Sequence, residues 1–267
     1  MLVETRVGRL FIEDLGSGPA VVLWPSLFTS GRMWHAQMEP LAAAHRVIAI
    51  DPPGHVRSSV PRADYTMNDC VAASLEVLDA VGEKRVAWFG LSWGGMVGMR
   101  LAARHPDRVA ALGLFDTSAR GEPSWARVKY TILAETLLRP IGPVREMVER
   151  LAVPELLGAT TRRTNPELVE RLADSLTRLD RVGILRAMRA VFSRDDVLRE
   201  LSAIRAPTLV LVGDEDTATV PAESERIHAA ILGSRLVRVA RSGHLPALEA
   251  PADVTREMLA LLESAGW

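Results

Sequence analysis

The chain has 267 residues, 32 Lys+Arg against 33 Asp+Glu, 48% apolar residues and one cysteine, a balance that belongs to ordered globular proteins. A net charge of −1 supplies no field to draw in DNA, RNA or an anionic membrane, and Cys70 alone can form no intramolecular disulfide. Charges at Glu4, Arg6, Arg9, Glu13 and Asp14 leave no apolar signal core, no window reaches roughly 18 apolar residues, and no histidine stands at metal-ligand spacing from Cys70, so a cytoplasmic enzyme or binding protein without a metal is expected.

Through residue 115 short apolar, often β-branched runs alternate with helical patterns, which predicts a mostly parallel, doubly wound sheet covered by helices on both faces. Val3–Val7 and Leu10–Glu13, around a Gly8-Arg9 turn, read as an opening hairpin. Ala20–Trp24, Arg46–Ile50, Arg85–Phe89 and Val109–Phe115 follow as strands buried on both faces, because they run mainly apolar without alternation. Between them Gly31–Ala44, Asn68–Val81 and Trp93–His105 carry helical spacing and end near Gly82 or Pro106. From about Gly121 to Glu200 the β signal disappears, and the segment reads as amphipathic helices broken at Pro140, Gly142-Pro143, Pro154, Asn165-Pro166 and Gly183. A strand at Pro207–Val212, a helix from about Pro221 to Leu232, a strand at Arg235–Val239 and a helix from about Pro251 to Glu263 complete the pattern. The expected organisation is a core of residues 1–120 and 201–267 carrying a helical lid, residues 121–200. Arg162, Arg163, Arg178 and Arg181 of the lid are expected on solvated faces.

Gly90-Leu91-Ser92-Trp93-Gly94 lies directly after a strand and before a helix. A serine on that sharp turn presents its hydroxyl above the carboxyl end of the sheet, at a helix N-terminus. The hydroxyl is a weak nucleophile, so it needs a base, and the base needs a group that fixes its tautomer and stabilises its cation. Asp216, in Val212-Gly213-Asp214-Glu215-Asp216, and His244, in Arg241-Ser242-Gly243-His244, both follow strands and therefore fall at carboxyl strand ends. The chain order Ser92, Asp216, His244 is the one this architecture uses. Asp116 offers an alternative acid from the neighbouring strand end but reads better as a loop cap, and Asp214 as a partner of its own loop. His55 reads as a structural hydrogen-bonder, and His35, His45, His105 and His228 have no partner nearby in sequence. Cys70 reads as an inert thiol.

These segments resemble the α/β-hydrolase family over nearly the whole chain. Asp51-Pro52-Pro53-Gly54-His55-Val56-Arg57-Ser58 resembles the family's D-x-x-G-H-G-x-S loop. Gly213 to Asp216 with Val220-Pro221 resembles its acid loop, and Ser242-Gly243-His244 with Glu249 and Pro251 its histidine loop. Trp24-Pro25-Ser26-Leu27, followed by Arg32-Met33-Trp34 and Gln37, is most similar to the 3-oxoadipate enol-lactonases and related small esterases and lactonases. The resemblance implies a cofactor-independent ester or lactone hydrolase acting through Ser92, Asp216 and His244. Its oxyanion hole would be the backbone N–H groups of Leu27 and Trp93. Pro25 and Ser26 stand where the family usually has His-Gly, and Phe28 where a small residue is common. Phe28, Trp125 and Tyr130 are candidate substrate contacts, as is the Trp93 ring, with a small-molecule ester or lactone as the partner. Alternatives with the same triad are hydrolysis of a C–C bond and perhydrolysis as in cofactor-free haloperoxidases; a lactone-like ligand receptor is the alternative of another class. A nucleotide site is excluded, since Gly90 to Gly98 fits neither G-x-G-x-x-G nor a P-loop.

Overall fold

The structure is a computed structural model and describes residues 1–123 and 144–267. Eight strands form one sheet: β1 (Leu2–Thr5), β2 (Gly8–Gly16), β3 (Ala20–Trp24), β4 (Arg46–Ile50), β5 (Val86–Leu91), β6 (Val109–Phe115), β7 (Thr208–Gly213) and β8 (Arg235–Val239), in the order β1-β2-β4-β3-β5-β6-β7-β8. β1 and β2 pair antiparallel and β2 joins β4 antiparallel, while β4 to β8 are parallel neighbours throughout. Chain neighbours joined in parallel need long crossovers, and the helical patterns supply them. The helices are α1 (His35–Ala42), α2 (Met67–Ala80) and α3 (Trp93–Arg104), then α4 (Ala159–Thr164), α5 (Pro166–Thr177) and α6 (Arg181–Phe192), and finally α7 (Pro221–Ala230), α8 (Pro246–Glu249) and α9 (Pro251–Ala265). Residues 144–156 form a short helical run before α4. No described helix is long and apolar enough to cross a membrane.

Successive strand residues bury on opposite faces, so the sheet divides the interior in two. Val22, Trp24, Ile48, Ile50, Trp88, Leu112 and Leu114 pack on one side with residues of α2, α3 and α6. Val21, Leu23, Val47, Ala49, Phe89, Leu91 and Phe115 pack on the other with α1 and α9. Each such side chain contributes about 1.5–3 kcal/mol on leaving water, which is why the central strands read as unbroken apolar runs.

Four local expectations change. The hairpin turn is Arg6-Val7 and not Gly8-Arg9, because Gly8 (φ 107) pairs with Thr5 and opens β2. The helix expected at 31–44 divides into a 3-10 turn, Gly31–Trp34, and α1. β5 runs two residues further than expected, since Gly90 and Leu91 pair with Leu114 and Phe115. Gly183 does not break a helix: it lies in the first turn of α6, its N–H capped by Asp180 Oδ1 at 2.8 Å. A Cβ there would stand 2.5 Å from Gly54 O, so glycine permits contact between the insertion and the loop after β4. Between β6 and β7 the described chain is helical. It is tied to the rest by Arg189–Asp64 at 3.1 Å and by Arg186 to the Pro61 carbonyl.

Candidate active site

The carboxyl ends of β5, β6, β7 and β8 lie side by side and carry the polar groups the sequence singled out. Ser92 follows β5 and caps α3, with φ 52 and ψ −107. Such a left-handed backbone at a residue with a Cβ costs on the order of 1–3 kcal/mol and must be held by its surroundings. It is: Ser92 N–H donates to Phe115 O at 2.7 Å, and Thr117 Oγ1 donates to Ser92 O at 2.7 Å. The flanking glycines are required by close approach. A Cβ on Gly90 would lie 2.1 Å from the Gly94 carbonyl, and one on Gly94 2.1 Å from Trp24 O.

Asp216, after β7, is buried with four hydrogen-bonding groups in reach of its carboxylate. Its Oδ1 accepts Ala218 N–H at 2.8 Å and Thr219 N–H at 3.0 Å. Its Oδ2 lies 2.9 Å from His244 Nδ1 and 3.0 Å from Thr219 Oγ1. Burial works against the charge on Asp216, but His244 and the Thr219 donors hold its carboxyl below the usual carboxylate range. His244 Nδ1 is thereby the protonated nitrogen, and Nε2 is left as the basic one. Thr219, which sequence reasoning missed, also reaches Asp116 O at 2.8 Å and His244 Nδ1 at 3.0 Å. Its only sequence signal is a hydroxyl residue three positions after the acid.

Asp116, after β6, is the other aspartate of this edge, with φ 43 and no exposure. Oδ1 caps the acid loop by accepting Gly213 N–H at 2.8 Å, as expected, while Oδ2 is buried with no hydrogen-bond partner. Burial and the neighbouring Asp216 push its carboxyl well above the usual range. Asp116, Asp216 and His244 bring one ligand atom each within 4.8 Å of one another. This is the one three-residue group among the described residues that could gather about a cation, but Nδ1 of His244 is committed to Asp216. Asp214, expected to bond within its own loop, instead pairs with Arg238 on β8 at 2.6 Å, because the adjoining parallel strands bring them together.

Glu249 explains why its residue type accompanies the histidine loop. Oε1 accepts the N–H groups of Gly243 at 3.0 Å and Leu245 at 3.1 Å, bracketing His244, and Oε2 accepts Gly158 N–H at 2.9 Å. Glu215, beside Asp216, accepts Thr160 N–H at 2.7 Å. Both loops are therefore tied directly to the helical insertion at the start of α4.

Leu27 and Phe28 lie in the turn after β3. The turn is held by Ser26 N–H to Met33 Sδ at 3.4 Å and by Thr29 Oγ1 to Ser26 O at 2.7 Å, which gives the Arg32-Met33-Trp34 segment a structural purpose. Among the described residues, the N–H groups of Leu27 and Trp93 meet no acceptor. Phe28 has φ 69 and a partly buried ring, consistent with the preference for a small residue there. The Trp93 ring, expected as a substrate contact, is core: it is fully buried, 5.8 Å from Trp24 and 5.6 Å from His55. Trp125 and Tyr130 lie outside the described residues. Arg162, Arg163, Arg178 and Arg181 are exposed, as expected. Cys70 is buried, and burial pushes its thiol up, as an inert thiol requires.

The alpha/beta hydrolase fold family matches residues 19–251. The chain belongs to the alpha/beta hydrolases. It is 26% identical over 246 residues to 3-oxoadipate enol-lactonase 2 of Acinetobacter baylyi, covering 92% of this chain and 89% of the relative. It is 31% identical over 264 residues to a putative carbamate hydrolase of Variovorax paradoxus, covering 94% of each. Among solved structures it is similar to a thermophilic esterase from Thermogutta terrifontis, with a TM-score of 0.92, 30% identity, and 99% and 98% of the two chains covered.

Proposed function

We propose that this alpha/beta hydrolase cleaves carboxylic esters or lactones through an acyl-enzyme on Ser92. The reading rests on the buried His244 Nδ1–Asp216 Oδ2 contact of 2.9 Å, at the same sheet edge as a serine held in a strained elbow. Ser92 Oγ attacks the carbonyl carbon as His244 Nε2 takes its proton, and Asp216 stabilises the imidazolium. The oxyanion lies against the N–H groups of Leu27 and Trp93. Collapse returns the proton to the leaving oxygen, which departs as an alcohol or, from a lactone, as the hydroxyl of the opened ring. Water activated by His244 then frees the acid and restores Ser92. The segment of residues 121–200 serves as the lid over this edge, with Phe28, Trp125 and Tyr130 as substrate contacts. The exposed lid arginines favour a modest, mainly apolar, uncharged substrate.

A fluorophosphonate should label Ser92, and Ser92→Ala should lose both labelling and turnover of p-nitrophenyl acetate down to the residual rate of the remaining site. Mass spectrometry placing the adduct on Ser26 or Ser242 would refute the assignment. Matched neutral and anionic lactones, with a neutral carbamate alongside, then rank the acyl group. Faster turnover of the anionic lactone would overturn the uncharged reading.

A further inference from the structure

The loop Asp51 to Ser58 is the motif that the reaction leaves without a task. Asp51 Oδ1 accepts Gly31 N–H at 2.9 Å, and Asp51 Oδ2 accepts Arg57 Nε–H at 2.7 Å. Ser58 Oγ closes the turn on Asp51 O at 2.6 Å. His55, within that turn, reaches the loop after β3 a second time: Phe28 N–H points at His55 Nε2 at 3.2 Å, while Nδ1 lies 2.9 Å from Pro53 O. A carbonyl oxygen can only accept, so Nδ1 carries the proton and Nε2 is the bare nitrogen that takes the Phe28 N–H.

We propose that His55 is a positioning residue for oxyanion stabilisation: its neutral imidazole anchors the Phe28 N–H, and so keeps the adjoining Leu27 N–H free and fixed where the oxyanion forms. The proposal rests on the reading of Leu27 and Trp93 as the two donors. Phe28 follows Leu27 directly and holds φ 69, a conformation that persists only where surrounding bonds impose it. The imidazole also lies 5.6 Å from the Trp93 ring, so one side chain touches both donor residues. Complete burial, only partly opposed by Pro53 O and the Asp51 charge, pulls the ring down to about 4, so Nε2 stays an acceptor at neutral pH. A charged ring would present an N–H to Phe28 N–H, and the contact would become repulsive.

The test compares His55→Leu and His55→Gln with the wild-type enzyme on a short-chain ester. Gln can offer a carbonyl oxygen close to the position of Nε2, and Leu fills space without an acceptor. Misaiming a donor by a fraction of an ångström predicts a kcat lowered roughly tenfold to a hundredfold in His55→Leu, with KM changed by less than about twofold because ground-state binding is untouched. His55→Gln should recover most of that loss. Wild-type kcat in His55→Leu, or equal losses in both variants, would overturn the proposal. Should His55→Leu fail to fold, nitrogen-15 NMR of the wild-type ring decides: a protonated Nδ1 and bare Nε2 are required, and an Nε2–H tautomer overturns it. Ser92→Ala separates the two failures. Lost turnover there with an unaffected His55→Leu removes only the positioning role, whereas turnover surviving in Ser92→Ala removes the hydrolase reading and the proposal with it.

Discussion

Two aspartates stand at neighbouring strand ends, and replacing each by asparagine tests which of them is the acid of the proposed triad. In Asp216→Asn, the side-chain oxygen keeps the N–H groups of Ala218 and Thr219, now 2.8 and 3.0 Å from Oδ1. The new amide NH2 then stands where Oδ2 was, facing His244 Nδ1. Two donors cannot share that contact, so His244 moves its proton to Nε2 and loses the lone pair that Ser92 requires. The imidazolium formed during turnover also loses its counter-charge. With charge centres about 4 Å apart and an effective dielectric of about 20, that attraction is about 4 kcal/mol, or roughly a thousandfold in rate. Adding the wrong tautomer, kcat should fall by about 10³–10⁴. Asp116→Asn should cost less than about tenfold, because burial and Asp216 already push Asp116 towards its neutral form and an amide oxygen still accepts Gly213 N–H. Burst and steady-state kinetics with p-nitrophenyl acetate, alongside thermal melts to establish folding, give both numbers. A larger loss in folded Asp116→Asn than in Asp216→Asn would refute the assignment of the acid.

Glu249→Ala should leave the buried N–H groups of Gly243, Leu245 and Gly158 without their acceptor, at about 1–3 kcal/mol, and so lower Tm by several degrees along with kcat; a melt unchanged from wild type would show that water replaces the carboxylate without cost. Acid stability should report on His55: as pH falls from about 6.5 towards 4, the unfolded chain takes a proton that the buried ring refuses. Stability is then present at neutral pH and lost on that descent, by up to about 3 kcal/mol, and His55→Gln should flatten this part of the denaturation profile. Parallel wild-type and His55→Gln curves between pH 6.5 and 4 would refute it.

The parallel strands and the serine elbow were legible because each is local. β3, β4 and β6 are mainly apolar runs bounded by polar or turn residues, and Gly90 to Gly94 sits where a strand pattern meets a helix pattern. That Asp216 and His244 would meet was legible from their places after strands, since parallel strands bring such positions to one edge. What stayed hidden depends on which distant backbone N–H a side chain meets. Periodicity reports burial but does not say that Glu249 will bracket His244, that Glu215 will reach Thr160, or that Thr219 will stand between both aspartates. Asp214 turned to Arg238 for the same reason: strand pairing, set by the whole sheet, overrode proximity in sequence. Gly183 misled because glycine is read as a helix breaker, when here its missing Cβ admits Gly54. The Trp93 ring misled because its N–H and its indole point to different places, one to the candidate hole and one to the core.

The contrast between the two aspartates shows how the fold selects one of two chemically identical groups. Both are buried, both lie at a strand end and both sit within reach of His244, so neither desolvation nor position alone distinguishes them. Donors do. Asp216 gathers two backbone N–H groups, a histidine N–H and the Thr219 hydroxyl within hydrogen-bonding distance, enough to offset the cost of burying its charge. Asp116 receives one N–H, from Gly213, and leaves Oδ2 without a partner. Two charges so close in a low-dielectric interior repel strongly, so the better-solvated carboxylate of Asp216 is favoured as the charged one and Asp116 is pushed towards its neutral form. The acid loop decides the matter, because Ala218 and Thr219 turn their N–H groups back onto the side chain two and three residues before them. Which aspartate carries the charge beside His244, and so which can serve as the acid of the proposed triad, is therefore a property of the backbone that follows Asp216, as much as of Asp216 itself.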